Sequence, residues 1–249
     1  MLNALSTFFP EYKIKIFKNI GLSDKILFPK IIKKGKSNLN LILIDFVKKE
    51  PLFFVKLYFA KPLTGNRLKK TLNIIEKLET LDISFIKPLA LFYLSPLKAY
   101  IKRKSFYGGI IYPFIKTGFI NKKKILEFKK QKKYEKFLNK LIKFLFKLHE
   151  KGVFLRDTKL NNFWYEKNEI KIFDLDGIKF YPKSLSKKLR LKDLSTLAMS
   201  LEWVLENKSE KSQIFDLYKN LYPLNKKDFL TFTKFVENRY QKRLKTYQK

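Results

Sequence analysis

The stretch from Leu148 to Gly177, LHEKGVFLRDTKLNNFWYEKNEIKIFDLDG, sets Arg156-Asp157, Lys159 and Asn162 on one loop and Asp174 just past a short hairpin. Upstream, Lys136 to Lys151 carries Phe137, Leu141, Phe144, Leu145 and Leu148 at helical spacing and stops before Gly152, as a helix terminus should. Downstream, Asn161 to Tyr165, a turn at Glu166-Lys167-Asn168 and the alternation Ile170, Lys171, Ile172 predict two hairpin strands. A carboxylate, an ammonium, an amide and a second carboxylate in that order suit phosphoryl transfer. That reaction needs one group to orient the attacking hydroxyl, one cation to offset charge on the moving group, and oxygen ligands for Mg²⁺. Asp157, Lys159, Asn162 and Asp174 fill these roles, with Asp176 an alternative metal ligand.

Asp157 and Asn162 also match the protein-kinase catalytic-loop pattern H-R-D-x-x-x-x-N, although Leu155 stands where the His is usual. The chain resembles the protein-kinase superfamily here, and within it the Kdo/lipopolysaccharide-core kinase family of small sugar-lipid kinases. Leu148-His149 with Gly152 is similar to that family's LH-x-x-G segment, Asp174-Leu175-Asp176-Gly177 to its form of the DFG motif, and Arg190-Leu191-Lys192-Asp193-Leu194 to the helix start that follows. The resemblance spans roughly residues 30 to 205. It implies an α+β, bilobal protein-kinase-like fold in one domain, residues 1-249, with a small β-rich N-lobe (1-115) and a helical C-lobe (116-249). It implies ATP and Mg²⁺ as cofactors and a sugar hydroxyl of lipid-linked lipopolysaccharide core, Kdo or heptose, as acceptor. It also implies a structural place for His149, whose alternative is acid/base chemistry, and a buried scaffold role for Asp193 at the start of a helix, accepting N–H bonds from the catalytic loop.

Size and composition agree. A chain of 249 residues, 45% hydrophobic and 16% aromatic, can bury a sizeable core and is not of the disordered class. No run approaches the ~18 apolar residues that span a bilayer, and Met1 to Pro10 lacks the basic start and longer apolar core of a signal peptide, so a cytoplasmic location is expected. With no Cys and one His, disulfides, thiolate sites and His clusters are excluded, and metals must be held by oxygen.

Charge is the second strong feature: 55 Lys and Arg against 22 Asp and Glu give +33, spread along the chain. Asn121 to Tyr134 mixes Lys with Ile125, Leu126 and Phe128. Three readings stand: a solvated helix face, peripheral docking on anionic lipid of the inner-membrane cytoplasmic face, where each nearby cation contributes about 1 kcal/mol, and binding of nucleic acid.

Ile26 to Lys33, Asn40 to Phe46 and Pro51 to Phe59 read as three strands of the N-lobe sheet. By the resemblance, Lys56, a lone charge in the third, is the nucleotide-phosphate lysine; otherwise it is a snorkelling strand lysine. Lys36 and Ser37, beside the single glycine of Lys34-Gly35-Lys36-Ser37-Asn38, are the candidate phosphate-covering residues. Asn66 to Leu81 reads as the helix behind the nucleotide, but Thr71 stands where the family predicts the glutamate that pairs with the strand lysine, and Glu76 is the nearest acidic residue. Gly108 to Phe114 reads as a strand leading into a hinge, with backbone groups near Tyr112, Phe114 and Ile115 to meet a nucleotide base.

Ile178 to Lys192 carries no A-P-E-like anchor for a peptide platform, while Lys179, Lys183, Lys187, Lys188, Arg190 and Lys192 suit an acidic glycolipid. Two closing helices are expected beyond Ser209. The expected activity is therefore phosphorylation of a glycolipid sugar. A small atypical Ser/Thr protein kinase is the enzymatic alternative, and a pseudokinase that binds membrane or nucleic acid is the alternative of another class.

Overall fold

A computed structural model describes residues 11–18, 27–60 and 66–247. Met1 to Pro10 and Ile26, the first residue of one expected strand, lie outside the described residues. The chain separates into two compact units, Met1–Lys77 with Ile86–Lys116, and Leu78–Phe85 with Thr117–Lys249.

The first unit is built on β1 (Lys13–Ile16), β2 (Leu27–Lys34), β3 (Asn38–Asp45), β4 (Pro51–Phe59), β5 (Ala90–Tyr93) and β6 (Phe106–Pro113). They form one six-stranded sheet in the order β1-β5-β6-β4-β3-β2, every described pairing antiparallel. Alternation along β4 explains its place at the centre. Phe53, Val55 and Leu57 join Leu41, Leu89, Ala90, Phe92 and Ile111 in a core on one face, while Lys56 and Tyr58 point to the other. Helix α1 (Arg67–Thr80) contributes Leu68 and Ile75 to this unit, both fully buried and each worth about 1.5–3 kcal/mol. Gly108 permits this approach: a Cβ there would stand 2.5 Å from Leu68 Cδ1 and 2.2 Å from the Phe92 carbonyl oxygen. The six residues of α2 (Pro96–Ile101) connect β5 to β6, started by Ser95, whose hydroxyl accepts the Lys98 N–H at 3.1 Å.

The second unit contains α3 (Lys122–Lys130), α4 (Tyr134–Glu150), β7 (Val153–Phe154), a 3₁₀ turn at Leu160–Asn162, β8 (Phe163–Glu166), β9 (Glu169–Ile172), β10 (Lys179–Phe180), α5 (Lys187–Leu205), α6 (Glu210–Lys219) and α7 (Lys226–Tyr247). Helix α4 is amphipathic, with Leu138, Leu141, Ile142 and Leu145 removed from solvent. Helix α5 is buried nearly all round, from Arg190 through Glu202, and α7 packs along it with Phe232 and Val236 in the core. Phe215 of α6 meets Phe229 and Phe232 of α7 with ring centroids 5.0 and 5.5 Å apart.

The expected helices and hairpin form close to their expected bounds. Three features differ. Among the described residues the sheet has six strands rather than the four expected, because β1 and β5 are only four residues each, too short for their pattern to stand out. Helix α2 was not expected, although Ser95-Pro96 is a helix-start signal. Helix α5 begins at Lys187, so Asp193 lies well inside it rather than at its start, and Arg190 is not a surface cation but 1% exposed.

Candidate active site

Within the second unit the catalytic-loop residues are placed by α5. Asp193, fully buried, accepts the Leu155 N–H on Oδ2 and the Arg156 N–H on Oδ1, both at 2.9 Å. Thr158, also fully buried, donates its hydroxyl to the Asp193 carbonyl, and Leu160 donates its N–H to Ser200 Oγ at 3.1 Å. Asp193 and Ser200 are two helical turns apart and so share a face. The backbone on both sides of Asp157 is therefore tied to one rigid helix. Arg156, immediately before it, takes a left-handed φ of 69°, a conformation a bulky residue holds only when its surroundings impose it.

The polar groups come together around this loop. Lys159 Nζ stands 3.0 Å from Asp157 Oδ2, both side chains about two-fifths exposed (41% and 42%). Asn162 donates from Nδ2 to the Asp157 carbonyl at 2.8 Å, which leaves its amide oxygen as the acceptor end. The hairpin closes with Phe163 opposite Ile172, and the Phe173 N–H donates to the Asn162 carbonyl at 2.9 Å. That bond brings Asp174 beside Asn162. Asp174 Oδ1 accepts the Asp176 N–H at 3.1 Å, so Asp176 supports the turn that presents Asp174. Among the described residues no group of three His, Cys, Asp or Glu gathers as a metal site. An amide oxygen and one or two carboxylates are nonetheless the set that Mg²⁺ takes when phosphate oxygens and water complete its shell.

Behind the loop lies a buried polar network. His149 Nε2 is 3.4 Å from Asp193 Oδ2 and Nδ1 is 2.7 Å from the Tyr218 hydroxyl. Since the carboxylate can only accept, Nε2 carries the proton and Nδ1 accepts from Tyr218. Burial holds the imidazole below its usual pKa, and burial likewise raises the Tyr218 phenol. Arg190 donates to Tyr218 Oη at 3.1 Å, to the Leu185 carbonyl at 2.8 Å and to Glu150 at 2.6 Å, and lies 4.1 Å from the Tyr222 ring centroid. Gly152 joins the same region with φ 71°, and a Cβ there would stand 2.3 Å from the Tyr181 carbonyl oxygen. Thr158, Ser200, Tyr218 and Arg190 were not singled out from sequence for these contacts.

The first unit carries the remaining candidates. Lys56 sits in β4 opposite Ile110 of β6 and Asn40 of β3, its Nζ 5.6 Å from the Tyr58 ring centroid. Ser37 is engaged twice: its hydroxyl accepts from Arg67 Nη1 at 3.2 Å, and its carbonyl accepts the Phe59 N–H at 3.1 Å. Lys36 is exposed at the turn between β2 and β3. Thr71 is buried and donates back to the Arg67 carbonyl at 3.0 Å, whereas Glu76 and Glu79 lie on the exposed side of α1. Tyr112 is buried opposite Phe54, and the Phe114 N–H donates to the Leu52 carbonyl at 2.9 Å. The Phe114 N–H is thus committed to the sheet. Strand alternation turns the Pro113 carbonyl away from β4, and Ile115 supplies the next N–H along the chain.

No protein-family model matches this sequence, and no curated protein is similar to it in sequence. Among solved structures the chain is similar to one described as WaaP in complex with acyl carrier protein, at 16% identity and a TM-score of 0.58, over 87% of this chain and 89% of that one. The fold is α+β and protein-kinase-like, a β-sheet N-terminal region with a helical C-terminal part.

Proposed function

We propose that the chain is an ATP-dependent phosphotransferase acting on an alcohol, specifically a sugar hydroxyl of lipid-linked lipopolysaccharide core. The observation that carries this reading is the Asp157–Lys159 pair at 3.0 Å on a loop whose backbone is bonded to Asp193 on one side and to Asn162 on the other. Asp157 holds the acceptor hydroxyl and takes its proton as the oxygen attacks the γ-phosphorus and the bond to the β–γ bridging oxygen breaks, so that ADP leaves. Lys159 offsets charge on the transferred group. Asn162 and Asp174, with Asp176 as the alternative, are the residues to hold Mg²⁺, which supplies charge neutralisation at the phosphates. Lys56 is the residue to bind nucleotide phosphates, with Lys36 and Ser37 as the phosphate-covering residues. The base is read by the Pro113 carbonyl and the Ile115 N–H beside Tyr112 and Phe114.

The acceptor class rests on the family resemblance at residues 148–177 and on the short connection after the metal motif. Only residues 181–186 separate β10 from α5, too few for the platform on which protein kinases lay a peptide. The test sets lipopolysaccharide, a lipid-linked core sugar and a generic protein side by side with MgATP and the Asp157→Asn variant as control. Transfer to the sugar lipid that vanishes with Asp157→Asn is the expected result. Transfer to protein alone points to the Ser/Thr kinase reading. Nucleotide binding without transfer to any of the three points to a pseudokinase, for which the buried Thr71 in place of a glutamate is the supporting observation.

A further inference from the structure

Helix α2 has its apolar residues on the wrong side for a protein interior. Its small residues Pro96 and Ala99 face inward, while Leu97, Tyr100 and Ile101, at i, i+3 and i+4, share the outer face and are 56%, 52% and 70% exposed. Isolated exposed apolar side chains are ordinary, but three large ones on a single helical turn form a contiguous patch. Around them Lys98, Lys102, Arg103 and Lys104 are all exposed, and the segment from Ser95 to Ser105 contains no acidic residue. One of the four, Lys102, reaches Glu11 at 2.5 Å.

We infer that α2 is a membrane-docking tip that inserts Leu97, Tyr100 and Ile101 into the interfacial region of an anionic bilayer while the four cations meet lipid phosphates. Charge complementarity selects this occupant: four cations against one acidic neighbour, Glu11, on a chain of net charge +33, fit a negatively charged surface. The chemistry of the patch agrees, since Tyr favours the headgroup level and aliphatic neighbours favour the acyl boundary. A single turn of helix is far too short to span, so this is attachment to one leaflet. Helix α3, the basic helix singled out from sequence, is the weaker element. Its Ile125 and Phe128 face inward, and Lys122, Lys124 and Lys129 are paired with Glu206, Glu127 and Glu210.

The docking role stands apart from the phosphotransferase reading, and its test involves no turnover. The parent should cosediment with phosphatidylcholine vesicles containing phosphatidylglycerol at low salt and much less with phosphatidylcholine alone. Replacing Leu97, Tyr100 and Ile101 together by Gln should weaken that partitioning by about tenfold or more with the melting temperature unchanged, because the removed surface is already exposed in the free protein. The chain has no Cys, so Ile101→Cys accepts one environment-sensitive dye; its emission should shift to the blue on anionic vesicles. A dye on Val47→Cys, an 80% exposed site at the opposite end of the sheet, should stay in water. The inference is overturned if the triple variant binds vesicles as tightly as the parent, if the dye at position 101 stays in water while the protein sediments, or if the parent ignores anionic vesicles. Calmodulin, acidic and apolar-grooved, probes the other class of partner. Capture by calmodulin through these three side chains, with vesicles ignored, would assign the patch to a protein instead.

Discussion

Asp193 Oδ1 accepts the backbone N–H of Arg156 at 2.9 Å, one residue before Asp157. A carboxylate inside α5 thereby fixes the direction in which the candidate catalytic side chain leaves the backbone. Its second oxygen is equally engaged by the Leu155 N–H, so no lone acceptor can replace it. In Asp193→Asn one N–H must face an amide NH₂. An unsatisfied donor at a fully buried site costs about 1–3 kcal/mol, and urea unfolding should show a loss of that size. Turnover should fall further than stability accounts for, with kcat reduced more than KM rises, because the loop loses its orientation rather than its ligands. A variant with parental kcat would mean that Asp193 serves packing alone.

Asp157→Asn should behave in the opposite way. The side chain is 42% exposed and its partner Lys159 is equally open, so the pair adds little to stability. Melting should stay close to parental while phosphoryl transfer drops by roughly 10²–10⁴-fold, the range for loss of a positioned general base. Transfer at the parental rate would remove Asp157 from the mechanism.

His149 gives the protein an acid-sensitive element. Burial keeps its folded pKa below the ordinary 6.5, so the unfolded chain binds the extra proton as pH falls. The stability contributed by the neutral imidazole is therefore present above pH 6.5 and is lost as pH drops below it toward the folded value, at up to about 1.4 kcal/mol per pH unit. His149→Gln cannot titrate. It should be less stable than the parent at about pH 7.5, and the gap in urea midpoint should narrow by about pH 5.5. A gap that widens on acidification would mean that the imidazole is protonated in the native state.

Much of this could be read from the chain itself, and the exceptions have physical causes. The order Asp157, Lys159, Asn162, Asp174 is local, and the hairpin that joins its two halves has a two-residue period that survives in the fold as β8 and β9. The long helices were legible because their apolar faces repeat over several turns. What escaped depends on contacts distant in sequence. Arg190 looks like one more cation in a basic run, and only its meeting with Glu150, Leu185 and Tyr218 makes it a core residue. Phe114 looks like a hinge residue, but its N–H is spent on Leu52, more than sixty positions away. Short strands such as β5 are buried on both faces, so they carry no alternation to find.

MgATP at about 100 times its Kd should stabilise the protein by about 2.7 kcal/mol through mass action. Asp174→Asn keeps the shape of the turn but removes the charge of the carboxylate that follows Phe173, whose N–H is bonded to the Asn162 carbonyl. The Mg²⁺-dependent part of the thermal shift should shrink, while any shift given by ATP with chelator should persist through Lys56. Should MgATP leave the melting temperature of the parent unmoved at millimolar concentration, nucleotide binding and the phosphotransferase reading fall together.

The lysines of α3 separate into structural and solvated groups, and two single substitutions tell them apart. Lys129 Nζ is 3.0 Å from Glu210 Oε1 and lies 4.7 Å from the Tyr134 ring centroid, while Glu210, only 4% exposed, also accepts the Tyr134 hydroxyl. Removing the ammonium leaves a nearly buried carboxylate with a phenol as its remaining partner among these contacts. Burial and that carboxylate already push the Tyr134 pKa up, so the phenol stays protonated and cannot share a charge. Lys129→Gln should therefore cost about 1–2 kcal/mol, discounted from a fully buried pair because the lysine is 38% exposed. Lys130, on the exposed side of the same helix, should be replaceable by Gln within about 0.5 kcal/mol. Equal effects of the two substitutions on the urea midpoint would show that the Lys129–Glu210 contact contributes nothing and that the whole helix face is solvated.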